Sequence, residues 1–154
     1  MAVITDVTGK EVEAFDLIMR KEFAFDIIEG RKRIEFRSLS PFYTKRFLDI
    51  SGKGKNEQVA FKNIDYVHFH DYGNTWFLDV RISDIGFFDL SEKSLASMHK
   101  YGHHDFDEMA TEYKGREDEF SMFGLLIESV LGTSLMNLSD IEKSGKVKVA
   151  PLIP

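Results

Sequence analysis

The sequence predicts a single α+β domain built on a small mixed sheet or barrel with flanking short helices. Three observations carry this. Short apolar or alternating runs suited to strands outnumber brief helical stripes. The 154 residues suffice for one core, with 43% hydrophobic and 30% charged residues in globular balance. No internal repeat, low-complexity tract or linker divides the chain, so one domain is expected over 1–154, its core about 12–135 between short terminal extensions. Fourteen Phe, five Tyr and one Trp promise an aromatic-rich core or a stacking surface.

Each element follows from local pattern. Ala14–Arg20 is short, apolar and followed by charge, as a buried strand would be. Lys21–Glu29 sets Phe23, Ile27 and Ile28 on one helical stripe and stops at Gly30, a natural C-terminal cap. Arg31–Leu39 alternates, with Ile34 and Phe36 on one face and Arg33, Glu35 and Arg37 on the other. Pro41 ends that strand, Phe42–Leu48 suits a second short helix, and Ser51–Asn56 a flexible turn. Phe61–His70 and Thr75–Ile85 read as strands joined by an Asp71–Asn74 hairpin loop. Phe87–Leu95 is less regular, and Ser97–Lys114 is polar with helical fragments broken at Gly102. Met122–Val130 reads as a core strand, and Lys146–Ile153 as a brief edge strand limited by Pro151 and Pro154.

Charge is uneven along the chain. The net charge of −6 conceals residues 20–55, which hold ten Lys/Arg against five Asp/Glu. Such a balance argues against extended duplex DNA as partner, since that mode gains affinity from many phosphate contacts. A small electropositive site on an acidic body suits a nucleotide or a short single strand. The absence of cysteine excludes disulfides and thiolate sites and fits a reducing, cytoplasmic setting. No apolar run reaches the roughly 20 residues of a membrane span, and Met1–Lys10 lacks a signal peptide's apolar stretch, so no membrane association is expected. No P-loop, G-x-G-x-x-G or G-x-S-x-G pattern occurs, which disfavours triphosphatase, dinucleotide dehydrogenase and serine-hydrolase readings.

The strongest local signal is Gly30-Arg-Lys32-Arg-Ile-Glu35-Phe-Arg37, leaving a helix and entering a strand. Gly30 lets the chain reverse, Lys32 stands at the mouth of the turn, and Glu35 and Arg37 share a strand face. A cation, a carboxylate and a planar guanidinium at one rim can hold an anionic or amide-bearing ligand while Glu35 orients the cations. A charged Lys32 gripping a phosphate or carbonyl is the simplest role. Lys32 as a catalytic base beside Glu35, or a salt-bridged network with no ligand, are the alternatives.

This octapeptide resembles the G-x-K-x-x-E-x-R signature of the ASCH domain family, met at Gly30, Lys32, Glu35 and Arg37. Leu17–Glu29 resembles that family's opening strand and helix, Tyr101–Met109 its later helical segment, and Met122–Thr133 its last barrel strand. The resemblance implies a PUA-like β-barrel with a cleft, lined by the motif, that accepts RNA or a modified nucleoside or nucleotide. Some relatives are amidohydrolases that deacetylate N4-acetylcytidine. They carry a threonine where this chain has Glu35, and a glutamate where it has Gly102, beside His103, His104 and Asp105. A hydrolase using Lys32 and Glu35, with Asp105 or a histidine in support, is thus the enzyme alternative.

Other residues join as candidate ligand contacts. Tyr43 and Trp76 lie near basic residues and could stack on bases, or serve the core. His103 and His104 could contact a ligand in the same cleft. His99 and His103, four apart, would share a face of a continuous helix, with His104-Asp105 adding ligands, a spacing that can suit zinc, but Gly102 interrupts the helix and no H-E-x-x-H pattern is present. The sequence therefore assigns no metal and no cofactor. His68 and His70 share a strand face and read as packed, hydrogen-bonded residues. A protein-interaction module is the remaining class, to be favoured by a large exposed apolar patch away from the motif.

Overall fold

The structure is a computed structural model and describes residues 1–5 and 8–149. In chain order it comprises β1 (Ala2–Thr5), β2 (Glu11–Ile18), α1 (Lys21–Ile28), β3 (Ile34–Ser38), α2 (Pro41–Phe47), β4 (Leu48–Ser51) and β5 (Gln58–Phe61). There follow β6 (Tyr66–His70), β7 (Phe77–Phe88), α3 (Glu92–Lys100), α4 (Asp107–Glu112), β8 (Met122–Thr133) and α5 (Leu138–Ser144). Six strands form one mixed sheet in the order β1-β2-β6-β7-β8-β3, and β4 and β5 form a separate antiparallel pair. Among the described strands only β2 and β6 run parallel; α1 to β5 lie between them in sequence, the long crossover that parallel pairing needs.

The expected α+β class is present, but among the described residues the hydrogen-bonded ladder stays open between its two edge strands instead of closing into a barrel. The reason lies at the end of β2. Beyond Ala14, where β1 stops, β2 has β6 as its one strand neighbour. Its last carbonyl, on Ile18, instead accepts from the Arg37 guanidinium of β3 at 2.9 Å. A side chain bridges where a backbone ladder would close the sheet.

One face of the sheet carries the core. Phe15 and Leu17 of β2, Val67 and Phe69 of β6, Leu78 and Val80 of β7, and Phe123 and Leu125 of β8 pack with Ala24, Ile27 and Ile28 of α1 and Phe47 of α2. Burial of these side chains is worth roughly 1.5–3 kcal/mol each before chain entropy is counted. Behind β3 lies a second layer, where Phe36 meets Phe88 and Phe106 edge-on at 5.8 and 5.1 Å. Phe106, the residue that leads into α4, belongs to this layer, and Met98 of α3 is buried nearby in sequence.

Several boundaries depart from the sequence reading. The run 61–70 is two strands, because the Lys62 N–H turns back to the Phe47 carbonyl at 2.8 Å and hands the chain from one sheet to the other. Phe87–Leu95 divides into the end of β7 and the start of α3, whose cap Ser91 accepts from the Ser94 N–H. Strand β8 runs on to Thr133 because Gly132 pairs with Asp79. Strands β1 and β4, all of β5 but Phe61, and helix α5 have no counterpart in the sequence reading. Of the expected edge strand 146–153, Val149 makes a parallel bridge to Val130, and 150–153 lie outside the described residues.

Candidate functional site

The motif is set by the end of α1. The Gly30 N–H donates to the Ile27 carbonyl at 3.0 Å, and those of Arg31 and Lys32 converge on the Asp26 carbonyl at 2.9 and 3.1 Å. Gly30 adopts φ +76°, and its missing Cβ is required twice over: a methyl there would lie 2.3 Å from the Lys146 carbonyl oxygen. The reversal delivers Lys32 beside the entry to β3, so Lys32, Glu35 and Arg37 meet. Glu35 Oε1 lies 3.9 Å from Lys32 Nζ and 3.5 Å from Arg37 Nε.

Glu35 is the pivot of this cluster, at 7% exposure. Burial pushes its carboxyl above the usual carboxylate range, and the charges of Lys32 and Arg37 pull it back down. Its second oxygen, Oε2, is buried without a hydrogen-bond partner among the described residues. Arg37 is held on two further sides, donating to the Tyr43 hydroxyl at 2.8 Å and to the Ile18 carbonyl at 2.9 Å. Lys32 is less committed, its ammonium 5.4 Å from the centre of the Phe23 ring. It reaches a cavity of about 640 Å³, shared with Tyr101, Glu128 and Lys146. Ile18 and Tyr43, the partners of Arg37, line a smaller cavity of about 150 Å³ with Asp16, Arg46 and His70. Glu35 itself lines neither of these, so the cluster forms a wall with an opening on each side.

Tyr43 joins the cluster as a positioning residue. Its ring stacks on Phe47 at 5.8 Å and lies under the Arg37 guanidinium at 5.4 Å. Trp76 lies within the core at 5% exposure, the alternative to stacking that the sequence left open. Helix-following His103 turns inward beneath the motif. Its Nε2 accepts the Arg33 and Ile34 N–H groups at 3.1 and 3.2 Å, and its Nδ1 lies 3.5 Å from the Asp105 carboxylate. Those bonds require an unprotonated Nε2, and burial holds His103 below the ordinary histidine value. His103 thus supports β3 from behind, close enough to Lys32 for that charge to help hold it unprotonated.

Asp105 and His104 stay on the surface. The Asp105 side chain is 77% exposed, and His104 pairs with Asp107 at 3.3 Å. The structure therefore gathers Gly30, Lys32, Glu35, Arg37 and Tyr43, and leaves His103, His104, Asp105 and Trp76 elsewhere. His68 and His70 are part-buried and hydrogen-bonded, to the carboxylates of Asp79 (2.5 Å) and Asp16 respectively, as the packed reading expects. Donating to the Asp79 carboxylate raises His68 above the ordinary histidine value. Sequence reasoning missed Tyr101, Glu128 and Lys146 as cavity walls. They come from a helix cap, β8 and the segment after α5, and only the fold brings them to Lys32.

No family model matches the sequence, and no curated protein does. Among solved structures, the chain is similar to an ASCH protein. That structure, of a mutant of ZmASCH from Zymomonas mobilis, is 15% identical over 90% of this chain and 82% of its own, with a TM-score of 0.45.

Proposed function

We propose that this chain is an ASCH-like binding domain whose motif, Lys32, Glu35 and Arg37, takes RNA or a modified nucleoside or nucleotide. The observation that carries this reading is the buried Glu35 oxygen left without a donor beside two cations. A buried acceptor with no partner forfeits about 1–3 kcal/mol, more when charged. A ligand N–H would supply the missing donor once the Lys32 or Arg37 side chain moves aside, since Glu35 lines neither neighbouring cavity. The exocyclic amine of a cytosine-type edge is such a group, and carboxylates accept from it in nucleic-acid recognition. Lys32, with three N–H donors and an open cavity beside it, is placed to take the neighbouring carbonyl or a phosphate.

The test is calorimetric titration of cytidine, uridine and a short single-stranded RNA into wild type, Lys32→Ala and Glu35→Gln. A charge-assisted hydrogen bond contributes about 1.5–3 kcal/mol, so each substitution is expected to weaken binding roughly 10- to 100-fold. Cytidine is expected to bind better than uridine, whose keto oxygen would face the Glu35 carboxylate. Silent titrations for wild type, or equal affinities in all three proteins, would remove the reading.

A further inference from the structure

A second cluster stands on the surface beyond β3. His99 lies in the last turn of α3, His104 in the loop after it, and Asp107 opens α4. One imidazole nitrogen from each histidine and a carboxylate oxygen of Asp107 all lie within 4.8 Å of one another. His99 Nε2 is 2.6 Å from one oxygen of Asp107, and His104 Nδ1 is 3.3 Å from the other. The two rings face each other at 4.4 Å, 26° from parallel, so their ligating nitrogens converge on one carboxylate.

We propose that His99, His104 and Asp107 form a binding site for a divalent transition-metal ion of the zinc class. Two imidazoles and a carboxylate make a borderline donor set that zinc-class ions prefer over magnesium or calcium, with further positions open to water or another ligand. Zinc bonds of about 2.0–2.2 Å place neighbouring ligand atoms about 3.3 Å apart in a tetrahedron. The two contacts reach different oxygens of Asp107, at 2.6 and 3.3 Å, so holding one ion needs a small adjustment of these side chains. All three side chains are 40–64% exposed and free to make that shift.

The backbone beneath is already ordered. Gly102, at φ +81°, turns the chain out of α3 with its N–H on the His99 carbonyl at 2.9 Å. The His103 N–H donates to the Met98 carbonyl at 2.9 Å, and its ring is locked under β3, which forces the next side chain outward. Asp107 closes the loop with its N–H on the His104 carbonyl at 3.2 Å. The same inward turn of His103 that supports the motif thus presents His104 to His99. The sequence groups His99 and His103 with His104 and Asp105; the fold turns His103 inward and brings Asp107 to the other two histidines.

The experiment uses the full chain, stripped with chelator and titrated with zinc chloride at pH 7.5 in a calorimeter. Cobalt(II) absorption reads the coordination, and long-range nitrogen–proton NMR reads the imidazoles. Expected are one ion per chain at micromolar affinity, shifted resonances for His99 and His104 but not His68 or His70, and no response to magnesium. His99→Ala with Asp107→Asn should weaken zinc binding at least tenfold while leaving the circular dichroism spectrum unchanged. Asp118→Asn, a carboxylate outside the cluster, should retain full affinity. Unchanged affinity in the double variant, or resonances shifted at other histidines, would overturn the site.

Discussion

Gly30→Ala tests whether the motif's geometry is dictated by the close approach of the segment after α5. Two costs add. An L-residue at φ +76° suffers left-handed strain of about 1–2 kcal/mol. The new Cβ would also stand 2.3 Å from the Lys146 carbonyl oxygen and 3.1 Å from its carbon, contacts that require backbone to move. Overpacking of that kind costs about 1–3 kcal/mol, for a total of roughly 2–5 kcal/mol. In a chain of this size each kcal/mol moves Tm by about 2–4 °C, so a fall of roughly 4–20 °C is expected by scanning calorimetry. Gly102 supplies the control, since it has φ +81° but nothing within 4 Å of the place a methyl would take. Gly102→Ala should show the strain alone. Asparagine separates the two costs further, because it tolerates left-handed backbone yet carries a Cβ. Gly102→Asn should be nearly silent and Gly30→Asn should not. Equal losses at the two glycines would refute the claim that Lys146 fixes Gly30.

Other outcomes follow from the same geometry. His103 is held below its ordinary value by burial, so the unfolded chain binds the extra proton first. Its stabilisation is therefore complete above about pH 6.5 and lost as pH falls below it; His103→Gln should remove that acid-side step from a Tm-against-pH series, and a retained step would assign it elsewhere. Glu35 titrates above the usual carboxylate range because of burial, so ligand affinity should fall in mildly acid buffer and Glu35→Gln should flatten that profile; a flat wild-type titration would contradict it. Trp76→Ala should cost about 3–5 kcal/mol in urea unfolding as a core deletion yet leave the affinity of the folded protein unchanged. Tyr43→Phe, which removes the hydroxyl that accepts from Arg37, should do the reverse, with a stability loss near 1 kcal/mol and weaker binding.

The sequence carried the local parts of this structure. Gly30 ends α1, and the period-two alternation of 31–39 sorts Ile34 and Phe36 from Glu35 and Arg37, because both signals are written within a few residues. What it could not carry is long-range. Strand β1 is four residues whose placement depends on pairing with β2, and α5 is a seven-residue helix with little periodicity of its own. The break inside 61–70 has no glycine or proline to announce it and arises from Lys62 bonding to Phe47, far back in the chain. Trp76 could equally have stacked on a base or filled the core; its choice is made by neighbours from other elements. The histidines divided for the same reason, since a pattern of 99, 103 and 104 does not reveal which ring the β3 backbone will claim.

Strand β3 joins both halves of the site, and its composition is hard to explain by stability alone. Ile34 and Phe36 face the layer of Phe88, Phe106 and His103, where packing and two accepted N–H bonds secure the strand. Glu35 and Arg37 face the other way, with side chains 9% and 12% exposed. Buried ion pairs lose in desolvation much of what they gain in attraction, and apolar replacements of similar volume are often neutral or stabilising by about 1–4 kcal/mol. A chain needing only a secure strand here would do as well with leucine and methionine. The triple variant Lys32→Met, Glu35→Leu, Arg37→Met is therefore expected to fold, with Tm equal to or above wild type, and to lose ligand binding altogether. Removing one partner alone should instead destabilise, by about 3–5 kcal/mol, because it strands the remaining charges. If the triple variant unfolded as readily as the single ones, the cluster would be a structural brace that closes β2 against β3 through Arg37 and Ile18. If it stays folded and stops binding, the unmet oxygen of Glu35 is retained for a ligand.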